Sequence, residues 1–163
     1  MPVLQNTAMV EQVAMNDRVT GFVLKQSDYR EADVILTVLT KEYGKLSFVA
    51  QGVRKMTSKN AGSIMPYTKT EILFDYNETK TIFRLKNARC KDYYRSMHED
   101  ITASSAAAVA AELIDVLTLQ ASSDMTNSDE YAFLDIVFSK LDEGYDPTLV
   151  LSLLFVDMLD LAG

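Results

Sequence analysis

The run VILTVLTKEYGKLSFVAQ, residues 34–51, decides how the first half of the chain is read. Val34–Thr40 is rich in β-branched side chains and too short for an ordinary helix. Lys41-Glu42-Tyr43-Gly44 is a turn signal, and Lys45–Gln51 returns as the partner strand. Working outward, Thr20–Gln26 reads as an earlier strand, and residues 1–16 show no clean periodicity and read as a tail. On the other side, Gly52–Pro66 holds Gly52, Gly62 and Pro66 with Arg54, Lys55 and Lys59, a long basic connection. Two further strands follow, Thr68–Tyr76 and Thr81–Arg89, joined by Asn77-Glu78-Thr79-Lys80.

From residue 96 onward the pattern is helical. Ile101–Gln120 holds six alanines between Ala103 and Ala111, and alanine is the best helix former. Val109, Leu113, Val116, Leu117 and Gln120 fall along one side of that helix. Ser122–Ser128 is a polar loop, and Ser128 opens a helix to about Leu141 with Asp129 and Glu130 in its first turn. Asp146-Pro147 is a cap followed by a first-turn proline, opening a last helix to about Leu161. Strands followed by helices argue for an α+β fold with segregated units: a tail over 1–16, strands over 17–95 and helices over 96–163. Five short strands suit a partly open five-stranded barrel of the OB type or an SH3-like barrel, and pattern leaves both open.

The whole chain of 163 residues carries a formal charge of −7, which taken alone argues against a nucleic-acid partner. Divided at residue 95, the first part has 15 Lys and Arg against 10 Asp and Glu, and the second has Lys140 alone against 13 acids. The chain is therefore a +5 object joined to a −12 object. One cysteine, Cys90, excludes an internal disulfide framework and a multi-cysteine zinc site, and fits a reducing compartment. The longest apolar run, Leu149–Val156, is interrupted by Ser152 and falls far below the ~20 residues that span a bilayer. The first residues lack a basic n-region and so do not read as a secretory signal. These features point to a soluble cytoplasmic protein with no membrane partner.

The candidate sites lie in the basic part. Nucleic-acid binding needs cations spaced along a groove and aromatic faces for unpaired bases. Lys25, Arg30, Lys41, Lys45, Arg54, Lys55, Lys59, Lys69, Arg84 and Lys86 supply charge. Tyr29 and Tyr43 lead the candidate platforms, ahead of Phe22, Tyr67 and Phe83, while Phe48 reads as core. Asp28, Glu31 and Asp33 are numerous enough for a hard cation, but no histidine or second acidic cluster completes a site, so a turn role is the better reading. His98 stands alone where strand gives way to helix. Cys90 has Arg89 and Lys91 as neighbours, a setting that lowers a thiol pKa where the cations face it. Gly44-Lys45-Leu46 lacks the rest of a P-loop. No catalytic constellation, metal site or cofactor site is visible.

The segment GFVLKQSDYREADVILTVLT, residues 21–40, continued by KEYGKLSFVAQGVRK to Lys55, resembles the N-terminal domain of the RecO family. The likeness rests on the ordered set G-hydrophobic-V-L-K, D-Y-x-E-x-D, T-x-E-x-G-K and A-x-G-x-R-K, and continues more weakly through Pro66-Tyr67, Glu71–Tyr76 and the alanine-rich helix. It implies an OB-fold that binds single- and double-stranded DNA, followed by a helical domain. It also implies recombination mediation and strand annealing in the RecF pathway of DNA repair, without enzymatic chemistry. The implied partners are RecR, single-strand-binding protein and RecF. A different class of function is a protein-interaction module, in which the barrel is a docking face for RecR-like partners with little DNA binding; docking of a basic partner also stays open for the acidic segment 122–146. Family members continue past the position of Gly163, and the last helix is apolar nearly all round. The expectation is therefore an incomplete helical domain or an oligomer that covers that helix.

Overall fold

The computed structural model describes residues 17–53, 60–118 and 128–162. The tail over 1–16, the basic segment 54–59 and most of the Ser122–Ser128 loop lie outside the described residues. The strands are β1 (Asp17–Asp28), β2 (Val34–Thr40), β3 (Gly44–Ala50), β4 (Lys69–Phe74), β5 (Ile82–Arg84) and β6 (Asn87–Asp92). They form one mixed sheet in the order β5-β3-β2-β1-β4-β6.

The long first strand organises the sheet. β1 pairs antiparallel with β4 from Asp17 opposite Phe74 to Phe22 opposite Lys69. It also pairs with β2 from Gly21 opposite Thr40 to Asp28 opposite Val34, with a bulge between Val23 and Lys25. A bulge bends a strand and increases its twist, which lets β1 serve two neighbours that diverge. Gly21 sits where the two ladders overlap. A Cβ there would lie 2.6 Å from Val38 Cγ1 and 2.7 Å from the Leu39 carbonyl oxygen. Gly21→Ala is expected to destabilise the chain by about 1–3 kcal/mol; an unchanged urea midpoint would show that β1 can move away from β2.

The strand count is six rather than five, and the reason lies at the end of the barrel. The stretch read as one strand, Thr81–Arg89, is bent at Leu85-Lys86. β5 pairs in parallel with β3, and β6 pairs antiparallel with β4. At the bend, the Leu85 N–H donates to the Val49 carbonyl at 2.9 Å and the Lys86 N–H donates to the Leu73 carbonyl at 2.8 Å. The two ends of the sheet are thus consecutive pieces of one chain segment. A first strand shared by β2 and β4, with β3 and β5 parallel, is the OB arrangement and not the SH3-like one. The α+β expectation with an N-terminal OB-fold holds, as a partly open six-stranded sheet.

Strand alternation makes two cores. Val19, Val23, Leu36, Phe48, Ile72 and Phe74 fill the barrel interior. Phe22, Leu24 and Leu39 face outward and join a second apolar cluster with the helices. Those helices are α1 (Arg95–Glu99), α2 (Ile101–Thr118), α3 (Ser128–Asp142) and α4 (Pro147–Ala162). Asp100 caps α2 through the Ala103 N–H at 2.9 Å, and Asp146 caps α4 through the Thr148 N–H at 2.9 Å.

The buried side of α2 is its alanine side, with Ala103, Ala106, Ala107, Ala110, Ala111 and Ile114 in contact with the cluster. Of the side that carries Val109, Leu113, Val116 and Leu117, Leu113 and Leu117 are partly buried against the cluster, whereas Val109 and Val116 are exposed. Small residues let the helix approach the large side chains of Phe22 and Leu39, whereas Val109 and Val116 lie on the side turned away. By length and composition α2 alone among the described helices could cross a membrane, but it packs on β1 as a core helix. In α4, Val150, Leu154 and Met158 are buried, whereas Leu149, Leu153, Phe155, Val156 and Leu159 are exposed.

Candidate nucleic-acid interface

The register defines an outer face that the helices leave uncovered. Lys25 stands opposite Thr37, Thr37 opposite Ser47, and Ser47 opposite Ile82, so these four form a row across β1, β2, β3 and β5. The next row is Ser27, Ile35, Val49 and Arg84. None of these residues belongs to the cluster shared with the helices. Three strand spacings, roughly 14 Å, separate the β1 edge from the β5 edge. Lys25 and Arg84 are exposed at those edges, and the floor between them is half-buried. Lys25 also borders a cleft that holds Glu112 and Asp115 of α2.

Beyond the second row lies the β1–β2 turn with Tyr29 and Arg30. The Arg30 guanidinium sits 4.9 Å from the Tyr29 ring centroid. The turn closes through Tyr29 N–H to the Asp33 carbonyl at 3.0 Å and Asp33 N–H to the Arg30 carbonyl at 3.2 Å. The Asp33 carboxylate accepts the Gly52 N–H at 2.8 Å. That bond brings the turn beside the exit of β3, from which the segment with Arg54, Lys55 and Lys59 departs. Asp33 therefore has the turn role anticipated for its cluster. No group of three potential metal ligands occurs among the described residues.

The other candidates are elsewhere. Lys45 Nζ donates to the Asp115 carboxylate at 2.8 Å and to the Asp115 carbonyl at 2.9 Å. Lys69 Nζ donates to Asp135 at 2.9 Å and lies 5.5 Å from the Phe22 ring centroid. Both ammonium groups join the sheet to the helices. Lys86 pairs with Asp75 at 2.6 Å. Lys41 and Tyr43 belong to the β2–β3 turn, at the opposite end of β2 from Arg30. Of the candidate platforms, Phe22 and Phe83 are buried, Tyr67 is half-buried, and Phe48 is core.

Tyr43 does have an open aromatic neighbour that sequence reading did not single out. Its ring stacks on Tyr76 with centroids 4.7 Å apart, and Tyr76 stacks on Phe83 at 5.6 Å. Tyr43 and Tyr76 are 40% and 43% exposed. Burial, then the charges of Asp17, Tyr76 and Glu42, push the Tyr43 phenol above its usual range. The same carboxylates oppose a phosphate there.

Cys90 shows why neighbours in sequence mislead on a strand. Arg89 and Lys91 project to the opposite face, and burial followed by Asp92 pushes the thiol up rather than down. His98 is a junction residue. Its ring nitrogens face the Tyr94 carbonyl at 3.1 Å and the Pro66 carbonyl at 3.0 Å. Three exposed cations outside the initial set, Arg18, Arg89 and Lys91, gather on the outer side of β4. The signal was present as Arg89-x-Lys91, the strand-period echo of Arg84-x-Lys86.

Residues 15–94 match the family described as "Recombination protein O N terminal". The DNA repair protein RecO of Heliobacterium modesticaldum is 37% identical over 101 residues, which is 62% of this chain and 36% of the relative. That of Leuconostoc mesenteroides is 31% identical over 144 residues, 86% of this chain and 54% of the relative. That of Listeria welshimeri is 27% identical over 147 residues, 90% of this chain and 56% of the relative. The chain thus spans about half the length of the last two relatives, or less in the first case.

Proposed function

The chain is a member of the RecO family, and on that premise we propose that it binds DNA through the outer β1–β2–β3–β5 face. We read it as a recombination mediator and strand-annealing protein of RecF-pathway repair, acting in the cytoplasm without an active site. RecR, single-strand-binding protein and RecF are the proposed partners. The strand region 17–95 supplies the DNA contacts, and the helical region 96–163 restricts where DNA lies.

One observation carries this reading: an uncovered sheet face with Lys25 and Arg84 on its two edges and Tyr29 and Arg30 at its end. Lys25 and Arg84 make no ion pair among the described residues. Such cations displace condensed counterions from phosphate, and the hydroxyls of Thr37 and Ser47 add neutral donors to the floor. In sequence, Arg54, Lys55 and Lys59 add three more cations to the strand region. Acids concentrated in the helices repel the backbone and confine it to this face. Two strands whose phosphates are neutralised while their bases stay accessible anneal without mutual repulsion.

The test is binding of fluorescent single-stranded DNA across a salt series. Binding is expected to weaken steeply as salt rises. Arg30→Glu with Arg84→Glu is expected to weaken it for all sequences alike and to make the log–log slope shallower by about 2. A flat salt response, or an unaltered affinity in the double variant, removes this face from the reading.

A second reading, a protein-docking module for RecR-like partners, draws on the exposed apolar side of α4. It also draws on the engagement of Lys45 and Lys69 with helix carboxylates. Titration calorimetry without DNA separates the two: tight partner binding beside negligible DNA affinity favours docking.

A further inference from the structure

Outside the proposed face, the outer side of β4 carries a second cationic group with a different geometry. Residues Lys69, Glu71 and Leu73 of β4 point outward in alternation. Glu71 has Thr20 of β1 on one side and Arg89 of β6 on the other. Leu73 has Arg18 on one side and Asn87 on the other. Arg18 and Arg89 therefore flank β4 diagonally, two strand spacings or roughly 10 Å apart across the sheet. Between them lies an open cleft of about 170 Å³ lined by Arg18, Glu71, Leu73, Asn87 and Arg89.

The charges in this cleft do not cancel. Glu71 offers one oxygen to Arg18 Nη1 at 3.9 Å and the other to Lys91 Nζ at 3.4 Å. Arg89 has no ion pair among the described residues. Three cations around one carboxylate leave a net formal charge of +2. The Arg18 side chain is 65% exposed, and an exposed ion pair of this kind adds about 0–1 kcal/mol to stability. Fold stability is thus a poor reason for the cluster. Two guanidinium groups with planar donor forks are suited to phosphate oxygens, and the Asn87 amide adds a neutral donor.

The position of the helices makes the cluster separate from the first face. They cover β1 at Phe22 and Leu24, with Asp115 anchored on β3 through Lys45 and Asp135 anchored on β4 through Lys69. An acidic layer thus stands between the β2–β3 side and the β4–β6 side. We propose that Arg18, Arg89 and Lys91 form a second phosphate-binding site, which takes the sugar-phosphate backbone of a second nucleic-acid strand. The proposal rests on the DNA reading above and extends it: one strand lies on the β1–β2–β3–β5 face and the other on β4–β6.

The experiment mixes the 163-residue chain with two non-complementary single strands carrying a donor and an acceptor dye, and reads energy transfer beside single-strand affinity. Wild type is expected to bring the strands together. Arg18→Glu with Arg89→Glu is expected to hold one strand within about threefold of wild type yet bridge two at least about tenfold less well. Glu71→Gln removes the single carboxylate and is expected to increase bridging, which guards against a misfolded double variant. Undiminished bridging by the double variant overturns the second site and leaves the first face standing, as does bridging that polyglutamate displaces as readily as DNA does. Absence of any single-strand binding by wild type overturns both.

Discussion

Phe22→Ala is expected to destabilise the chain by about 3–5 kcal/mol and to loosen the helices before the barrel. Phe22 is a strand residue that takes no part in the barrel interior. Its ring is fully buried, 4.8 Å from the Tyr131 ring and 5.4 Å from that of Phe138, the latter edge-on. Lys69 lies over the same ring on its way to Asp135. Truncation opens a cavity between two layers, and the strand side cannot collapse into it because β1 is held by ladders on both edges. The cost therefore falls at the upper end of the range for a large-to-small change.

The signature is spatial. Amide exchange in α2 and α3 should accelerate more than in β3, which does not pair with β1. Phe48→Ala is the contrasting variant. Phe48 packs on Phe74 at 5.1 Å within the barrel, so its loss should weaken strand protection first. Equal loss of protection everywhere after Phe22→Ala, or a cost under about 1 kcal/mol, would show that the helices do not depend on this contact.

The same residue marks where the sequence was legible and where it was not. The boundaries of β2 follow from local signals, since a β-branched run ending at a Gly-containing turn specifies a strand without reference to the rest of the chain. The bend at Leu85-Lys86 has no such local signal. It arises because successive N–H groups find acceptors on β3 and β4, which lie on opposite sides. The packing face of α2 lacks a local signal for a related reason. Val109 and Val116 are more hydrophobic than alanine, but the partners Phe22 and Leu39 are large, and close approach selects the alanines.

Site residues divide along the same line. The basic character of residues 17–95 was plain, but charge alone does not show which cation is already engaged. Lys45 and Asp115 are 70 residues apart in sequence, and Lys69 and Asp135 are 66 apart. These two ion pairs, long-range in sequence, join the basic half to the acidic one. The net charge of −7 conceals a fold in which part of the positive half holds the negative half in place. Lys25 and Arg84 on one face and Arg89 on the other make no ion pair among the described residues, while Arg18 and Lys91 share the single carboxylate of Glu71.

Stability is expected to fall by several kcal/mol between pH 10 and pH 12, through two phenols at the junction of strands and helices. Tyr94 and Tyr131 both belong to the apolar cluster that joins the layers. Burial, then the charges of Asp135 and Glu42, push Tyr131 from 10.0 up to about 12. Tyr94 is pushed higher still, by burial first and then by the nearby carboxylates led by Asp92. Both folded-state values lie above the unfolded value, so the sign is fixed. Below pH 10 the phenols are protonated in both states and their contribution is fully present. Above it the unfolded chain releases protons first, and stability is lost as pH rises through the folded-state value. For Tyr131 the loss amounts to roughly 2–3 kcal/mol by pH 12, and Tyr94 adds to it in the same direction. Urea midpoints followed by circular dichroism, with tyrosinate absorbance recorded in parallel, measure the effect. Tyr131→Phe keeps the ring contact with Phe22 while removing the ionisable group, and so separates this contribution from other groups that titrate at alkaline pH. It is expected to flatten the decline. If all eight tyrosines ionise near pH 10 with the fold intact, or if Tyr131→Phe declines as steeply as wild type, Tyr131 does not hold the helices on the sheet as a neutral phenol.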